Sequence, residues 1–470
     1  MFIHPVMNDL CCLCVGLFST PVIIDGQFED WSGSEAPDTW LVEGASNKDY
    51  VFLHLQHPGP PRVIQHLDET LQLAIDLDGR TSTGCTDGSF QGCELILEMS
   101  PSKKGKAGGG VTARSWKDGG KWVNGSPYDF GFVMAPTFAS REHEIRLDKS
   151  SLPNNGKRMR VVLQSGDDNP VITDFKQRSS GKVTAKRQSI PTTDADDIRV
   201  ASWNIEFGGL LKRADTVKAL LESLAPDILL IQELEDDQDE EAVSNFLDSL
   251  TTNDDWTVSM SPAGSGLRSA VATRLKAEPV DTFNRVTRSD APGRTIRVAG
   301  LLIDDGNGLP ILAVSLHLKC CGGLNEREDL TRISEVLSIR EAISEAVAEH
   351  QPSGLVIGGD FNLVASPVPL DILRIDGQSM LGQSHQGNLD LSTPYHLDGR
   401  DTYTWYNAGS PYTPGRLDFI LTGGELEQSD AFILDTSDLS TNEKRSLPAN
   451  ATRVASDHLP VVVDIKTVRP

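Results

Sequence analysis

Two textures of apolar and polar positions divide the chain. Up to about residue 172, short apolar segments such as Tyr50–Leu55, Leu71–Ile75, Leu95–Met99 and Met159–Leu163 are separated by Gly, Pro and Asp clusters, without a sustained helical period. Short strands punctuated in this way predict a β-sandwich. From about residue 198 the spacing changes. Val217, Leu220, Leu221 and Leu224 mark one face of a helix, Pro226 ends it, and DILLI at 227–231 has the unbroken apolar run of a buried strand. A second helix is expected from about Glu326 to His350, with Ile333, Val336, Ile339, Ile343 and Ala346 on one face; Gln351-Pro352-Ser353-Gly354 stops it and LVIGG follows as a strand. Strands alternating with helices predict an α/β domain. Between the two textures, 173–197 carries few large apolar residues and many Ser, Thr and Lys, so it reads as a linker. The expected division is a leader at 1–20, a β-sandwich at 22–172, the linker, and an α/β domain at 198–470, with no internal repeat.

Composition narrows the class. With 38% hydrophobic and 23% charged residues in 470, the chain is of globular type. No apolar run approaches the roughly 18 residues of a spanning helix, so no integral membrane segment is expected. The apolar stretch Leu10–Phe18 sits where a secretory leader has its core, although Asp9 adjoins it and the first basic residue is Lys48. A secreted or periplasmic location is the expectation. Of 7 cysteines, Cys85, Cys93, Cys320 and Cys321 would survive leader removal. Three pairings are open, with Cys85–Cys93 the local one and Cys320 and Cys321 read as free thiols rather than a strained vicinal bridge. Charge is uneven: through residue 190 there are 20 Lys+Arg against 23 Asp+Glu, which leaves 23 against 44, or −21, in the remainder. A polyanion approaching that half is repelled at long range, so phosphate chemistry there must rely on bound cations and local contacts.

In that acidic half, polar residues recur at the ends of apolar strands. RVASWNIE places Asn204 and Glu206 there, DILLIQE ends on Glu233, ILAVSLHLK carries His317, LVIGGDFN ends on Asp360 and Asn362, RLDFIL contains Asp418, and SDHLPVVVDI sets Asp457 and His458 before a strand. Singly, each is ordinary turn or capping chemistry, or in the case of His317 a satisfied core histidine. Together they describe an oxygen-rich site for a hard divalent cation with acid/base groups beside it. Zinc fits poorly, since the candidate histidines lack close pair spacing and this half carries no CxxC.

The ordered series WNI, QE, LH, GDFN, RLDFIL and SDHLPV, spread from about 197 to 466, resembles the endonuclease/exonuclease/phosphatase superfamily, which includes DNase I-like nucleases, inositol polyphosphate phosphatases and sphingomyelinases. The resemblance implies an α/β four-layer sandwich, two packed mixed β-sheets flanked by helices, preceded here by the β-sandwich domain. It implies metal-dependent attack of water on a phosphate ester, with Mg2+, or Mn2+ or Ca2+, as cofactor. By position, Glu233 resembles the principal metal ligand, with Asn204 and Asp457 completing the metal environment. Asp360 resembles the carboxylate that positions or deprotonates water, Asn362 the amide that bonds the phosphate, His458 an imidazole paired with Asp418, and His317 a second imidazole on the phosphate. Glu206 is not required by the pattern.

The substrate is less defined. Histidine at 317 resembles the DNase I-like, sphingomyelinase-like and phosphatase branches rather than the abasic-site endonucleases. Lys319 and Arg416 are read as phosphate contacts because each lies two residues from a site residue on a strand. Tyr403 and Trp405 alternate as core residues of a strand, with base stacking the lesser reading. A secreted nuclease or phosphodiesterase acting on nucleic acid is favoured; a phosphomonoesterase of the inositol-phosphatase type, a sphingomyelinase-like lipid hydrolase and a non-catalytic binding protein are the alternatives. IIDGQFEDWSG at 23–33 is similar to the opening of family 9-type carbohydrate-binding modules, which implies polysaccharide attachment, with Trp31, Trp40, Trp116 and Trp122 either lining a sugar face or packing in the core. Asp76-Leu77-Asp78-Gly79 matches a fragment of a calcium loop without its remaining ligands, so a turn is expected.

Overall fold

The computed structural model describes residues 21–468 except 32–37, 87, 104–105, 118–119, 153–157, 167, 177–187, 251–254 and 383–385. The leader segment and residues 177–187 of the linker segment lie outside the described residues.

In the amino-terminal region two antiparallel sheets face each other. One runs in the order Leu41–Ser46, Tyr50–Gln56, Glu142–Asp148, Val133–Ala135; the other in the order Val171–Lys176, Arg158–Ser165, Leu71–Asp76, Leu95–Met99, Val111–Lys117, Lys121–Gly125. Leu53, Leu55, Leu73, Leu97 and Val161 fill the space between them. The last strand continues to Lys176, so the expected linker start at 173 falls inside the sheet, where Val171–Lys176 pairs with Arg158–Leu163. Cys85 and Cys93 are both buried; Cys85 N donates to Cys93 O at 2.9 Å, and Cys85 O accepts from Gly92 N at 2.7 Å.

The carboxy-terminal region contains two mixed sheets. One is ordered Thr257–Met260, Leu267–Thr273, Ile228–Glu235, Ile198–Asn204, Val461–Thr467, Leu426–Ile433, Tyr395–His396; the other Ala277–Pro279, Val298–Asp304, Pro310–His317, Gly354–Asp360, Asp418–Gly424, Asp390–Leu391. Val200, Leu230 and Val271 of the first meet Ile303, Ala313, Val356 and Ile420 of the second in the middle layer. Helix Ala214–Leu224 buries Val217, Leu220, Leu221 and Leu224 against the outside of the first sheet. Helix Arg327–His350 buries Val336, Ile339, Ile343 and Ala346 against the second and ends in the left-handed Gln351, φ +48°. This is the four-layer α/β sandwich, preceded by a β-rich region. No helix among the described residues is long and apolar enough to cross a membrane.

The two regions share a core. The strand Tyr50–Gln56 is buried almost throughout, because Leu53 and Leu55 face the sandwich interior while Phe52, on the other side, joins the cluster that holds Val200 and Ile420. Polar ties accompany this packing: Arg146 pairs with buried Asp401, Ala139 N donates to Ala365 O at 2.7 Å, and Thr137 Oγ1 donates to Leu363 O at 2.9 Å. Trp31 is also enclosed, its Nε1 donating to Glu144 at 3.1 Å, so it presents nothing to a sugar. Trp116 and Trp122 pack edge to face at 5.2 Å.

Candidate active site

Strand register brings the site residues to one edge of the sandwich. In the second sheet His317 pairs with Asp360 across a parallel ladder, and Asp360 pairs with Asp418 across an antiparallel one, so the three form a row. In the first sheet Asn204 is opposite Gln232. A bulge between Ile231 and Leu234, with Glu233 at φ +63°, interrupts the ladder at Glu233. A bulge re-aims a side chain in this way and concentrates backbone strain where function uses it. Glu233, His317, Asp360, Asn362, Asp457 and His458 all line one cavity of about 540 Å³.

Within it, Asp360 Oδ2 lies 3.6 Å from His317 Nε2 and 3.8 Å from His458 Nε2. It also accepts from Asn204 Nδ2 at 3.1 Å and Asn362 Nδ2 at 3.0 Å. Behind the wall, His458 Nδ1 meets Asp418 Oδ2 at 2.7 Å, and Thr404 Oγ1 donates to the same oxygen at 2.6 Å. Burial disfavours a charged imidazole, but Asp418 and Asp360 outweigh it and hold His458 up at about 10. The other imidazole goes the opposite way. Burial, then the Arg297 guanidinium, hold His317 well below its ordinary range, so it is neutral. Arg297 Nη1 is 3.2 Å from His317 Nδ1; since a guanidinium only donates, Nδ1 carries the lone pair and the proton sits on Nε2, facing Asp360 and Glu233. Burial, with the negative charges of Asp418 and Glu233, pushes Asp360 up to about 8 against the pull of His458.

Ligand atoms of Glu233, His317 and Asp360 lie within 4.8 Å of one another, a grouping able to hold a metal ion. The two carboxylates suit a hard divalent cation; His317, with its proton on Nε2, acts there as a donor rather than a ligand. Asn204 differs from expectation. Its Oδ1 accepts from Glu206 N at 3.0 Å, which turns its amide nitrogen toward Glu233 and Asp360, so it presents N–H groups and not an oxygen to the cation position. Asp457 lines the cavity with Oδ2 accepting from Trp405 Nε1 at 3.0 Å. The amide of Asn362 spends its hydrogens on Leu318 O at 3.1 Å and Asp360 at 3.0 Å.

The two cationic residues read as phosphate contacts are not among the cavity's lining. Lys319 lies past the strand that ends at His317, with Nζ 3.5 Å from Cys320 Sγ. Arg416 precedes the strand that begins at Asp418, so strand alternation does not govern it; its Nη2 donates to Ser392 O at 2.7 Å and its guanidinium lies 4.6 Å from the Phe419 ring centroid. Arg297 is the cation that does face the cavity. Its position became visible only through register, because His317 N donates to Arg297 O at 3.0 Å across the strand pair. Phe207, 59% exposed, Trp405 and Tyr412 supply aromatic surface. The amino-terminal region adds Gln65, His66 and Thr137 to the wall, fixed by Thr413 N donating to Gln65 Oε1 at 3.1 Å and by a hydrogen bond of 2.8 Å between Tyr412 Oη and His66 Nε2.

A four-layer sandwich with carboxylates, imidazoles and a cation position at one edge defines a metal-dependent hydrolase of phosphate esters. The chain belongs to the Endonuclease/Exonuclease/phosphatase family, whose model matches residues 201–458. Among solved structures, it is similar to the endonuclease/exonuclease/phosphatase from Bacteroides vulgatus, at 16% identity over 58% of this chain and 99% of that one, with a TM-score of 0.39. It is similar also to a 3′ phosphatase from Neisseria bound to a product DNA hairpin, at 17% identity, 57% and 98% coverage and a TM-score of 0.39. The human Nocturnin catalytic domain with a bound sulfate anion matches at 20% identity, 58% and 94% coverage and a TM-score of 0.38. No curated protein sequence matches the chain.

Proposed function

We propose that the chain is a nuclease or closely related phosphodiesterase that cleaves an ester carrying a nucleobase. The observation that carries this reading is the make-up of the cavity: Phe207, Trp405 and Tyr412 offer flat apolar surface beside Glu233, Asp360 and His458, while Arg297 is the one Lys or Arg among the described lining residues. A substrate with many phosphates, such as an inositol polyphosphate, needs several cations around it; a single diester flanked by bases needs one charged centre and stacking surfaces.

In this reading Glu233 would hold the divalent cation, with Asp457 facing the same space, and a cation bound there would supply Lewis-acid charge to the phosphate ester. Asp360, which a cation beside it would favour in the ionised form, accepts a proton from the attacking water. His317 Nε2–H donates to a nonbridging oxygen, and the His458 imidazolium, kept charged by Asp418, balances negative charge as it develops. Asn204 and Asn362 orient Asp360. Nucleotide specificity is tested by comparing plasmid DNA, RNA, sphingomyelin, inositol phosphates and a bis-aryl phosphate with Mg2+, Mn2+ and Ca2+. Nucleic acid should be the best substrate, and Phe207→Ala should raise KM for it with kcat little changed. Faster turnover of sphingomyelin or of an inositol phosphate would overturn the assignment.

A further inference from the structure

We propose that Asp76, Asp78 and Glu94 form a second cation site, of the oxygen-only kind that takes Ca2+, in the amino-terminal sandwich. The sequence shows only half of it, the Asp-Leu-Asp-Gly turn. The sheet supplies the rest: Glu94 immediately precedes the strand Leu95–Met99, which pairs with Leu71–Ile75, and Glu94 N donates to Ile75 O at 3.0 Å. Carboxylate oxygens of the three residues consequently lie within 4.8 Å of one another.

Which oxygens are engaged is the informative point. Asp76 is fully buried and Glu94 is 2% exposed. Asp76 Oδ1 accepts from the backbone N–H groups of Asp78, Gly79 and Arg80 at 3.3, 2.6 and 3.2 Å, while Asp76 Oδ2 has no hydrogen-bond partner. Glu94 repeats the pattern, with Oε2 accepting from Leu77 N at 2.8 Å and Oε1 without a hydrogen-bond partner. The turn amides thus fix each carboxylate by one oxygen and leave the other buried and unsatisfied. No Lys or Arg pairs with any of the three among the described residues. Burying such oxygens unsatisfied is costly, and clustered carboxylates repel; one hard cation relieves both.

Gly92, at φ +89°, borders the unsatisfied oxygen. A Cβ there would stand 3.1 Å from Asp76 Oδ2 and 2.9 Å from Thr81 Cα, so the glycine keeps the approach to that oxygen clear. Asp78 is the more exposed member, held by Arg80 N and Thr83 Oγ1 at 2.9 and 3.0 Å. A cation here ties the end of a central strand to the loop 77–93 and is separate from the catalytic cavity, none of whose lining residues belongs to it.

The test is calorimetric titration of Ca2+ into the EDTA-treated full chain carrying Glu233→Gln, which weakens the catalytic cation position. Ca2+ should still bind and raise the thermal midpoint. Adding Glu94→Gln, which retains the acceptor for Leu77 N, or Asp78→Asn should weaken that binding at least tenfold and remove the rise. Asp78→Asn decides the matter should Glu94→Gln fail to fold, since Asp78 is not part of the buried core. Unchanged Ca2+ binding in Asp78→Asn, or no Ca2+ effect in the Glu233→Gln chain, overturns the proposal.

Discussion

Replacing Asp418 by Asn is the substitution from which the structure predicts most. The side chain is fully buried, and the change keeps its size while removing one negative charge 2.7 Å from His458 Nδ1. Asp418 is the largest of the influences, ahead of Asp360 and Asp457, that lift His458 to about 10 in spite of burial. Without it, burial is opposed only by Asp360 and Asp457, and the imidazole loses its proton at lower pH. Each pH unit of that fall removes about 1.4 kcal/mol from the imidazolium. If the charged form is the working one, activity is present below the pKa of His458 and lost as pH rises through it. The wild-type enzyme should therefore hold its His458-dependent activity through neutral pH, and Asp418→Asn should move the descending limb of kcat/KM to lower pH, with kcat at pH 7.5 reduced by roughly 10²–10⁴. Stability follows the same sign. A folded-state pKa raised above 6.5 stabilises fully below 6.5 and ceases to do so as pH rises through about 10. The assay is a pH series of initial rates on a soluble diester at saturating metal, with thermal midpoints beside it. An Asp418→Asn profile that superimposes on the wild type, at equal rate, would refute the pairing.

Two further outcomes follow from the same geometry. Arg297→Met removes the donor that places the His317 proton on Nε2, so kcat should fall by roughly tenfold or more and the His317 imidazole should titrate at higher pH by NMR; Arg297→Lys should restore less than half of the loss, because an ammonium lacks the planar fork. A chain beginning at Asp194 loses Phe52 and Val133 from the shared core and His66 and Gln65 from the cavity wall, so it should melt at lower temperature or aggregate, and a soluble fraction should show raised KM. Wild-type melting and kinetics in that shortened chain would show that the two regions work independently.

Much of this was legible in the residues. The helix through Val217, Leu220, Leu221 and Leu224 follows from its period, and the six strand-end motifs follow from apolar runs ending in polar groups. What was not legible depends on pairing across strands. Nothing in RTIRVAG places Arg297 on His317, because the contact exists only in one antiparallel register. The bulge at Glu233 likewise has no local signature, and Arg416 lies before the strand that begins at Asp418, outside the alternation on which its expected role rests. The same reason hid Glu94, sixteen residues beyond Asp78 yet adjacent to it through the sheet. His54 lies on the face of the strand Tyr50–Gln56 turned away from the sandwich interior and is nevertheless buried, under the stacked rings of Phe28 and Trp31. Asn204 shows a different limit: its residue type fits a ligand, and only the acceptor demanded by Glu206 N reveals which way the amide points.

The central claim is that a cation held by Glu233 enables hydrolysis of a phosphate ester in this cavity. Its most direct test is a Mg2+ titration of turnover on single-stranded DNA by EDTA-treated wild-type and Glu233→Gln protein. The account predicts no turnover without added metal, recovery with Mg2+ in the wild type, and a half-maximal Mg2+ concentration at least tenfold higher in Glu233→Gln. Full turnover by metal-free protein, or identical Mg2+ curves for the two, would contradict it.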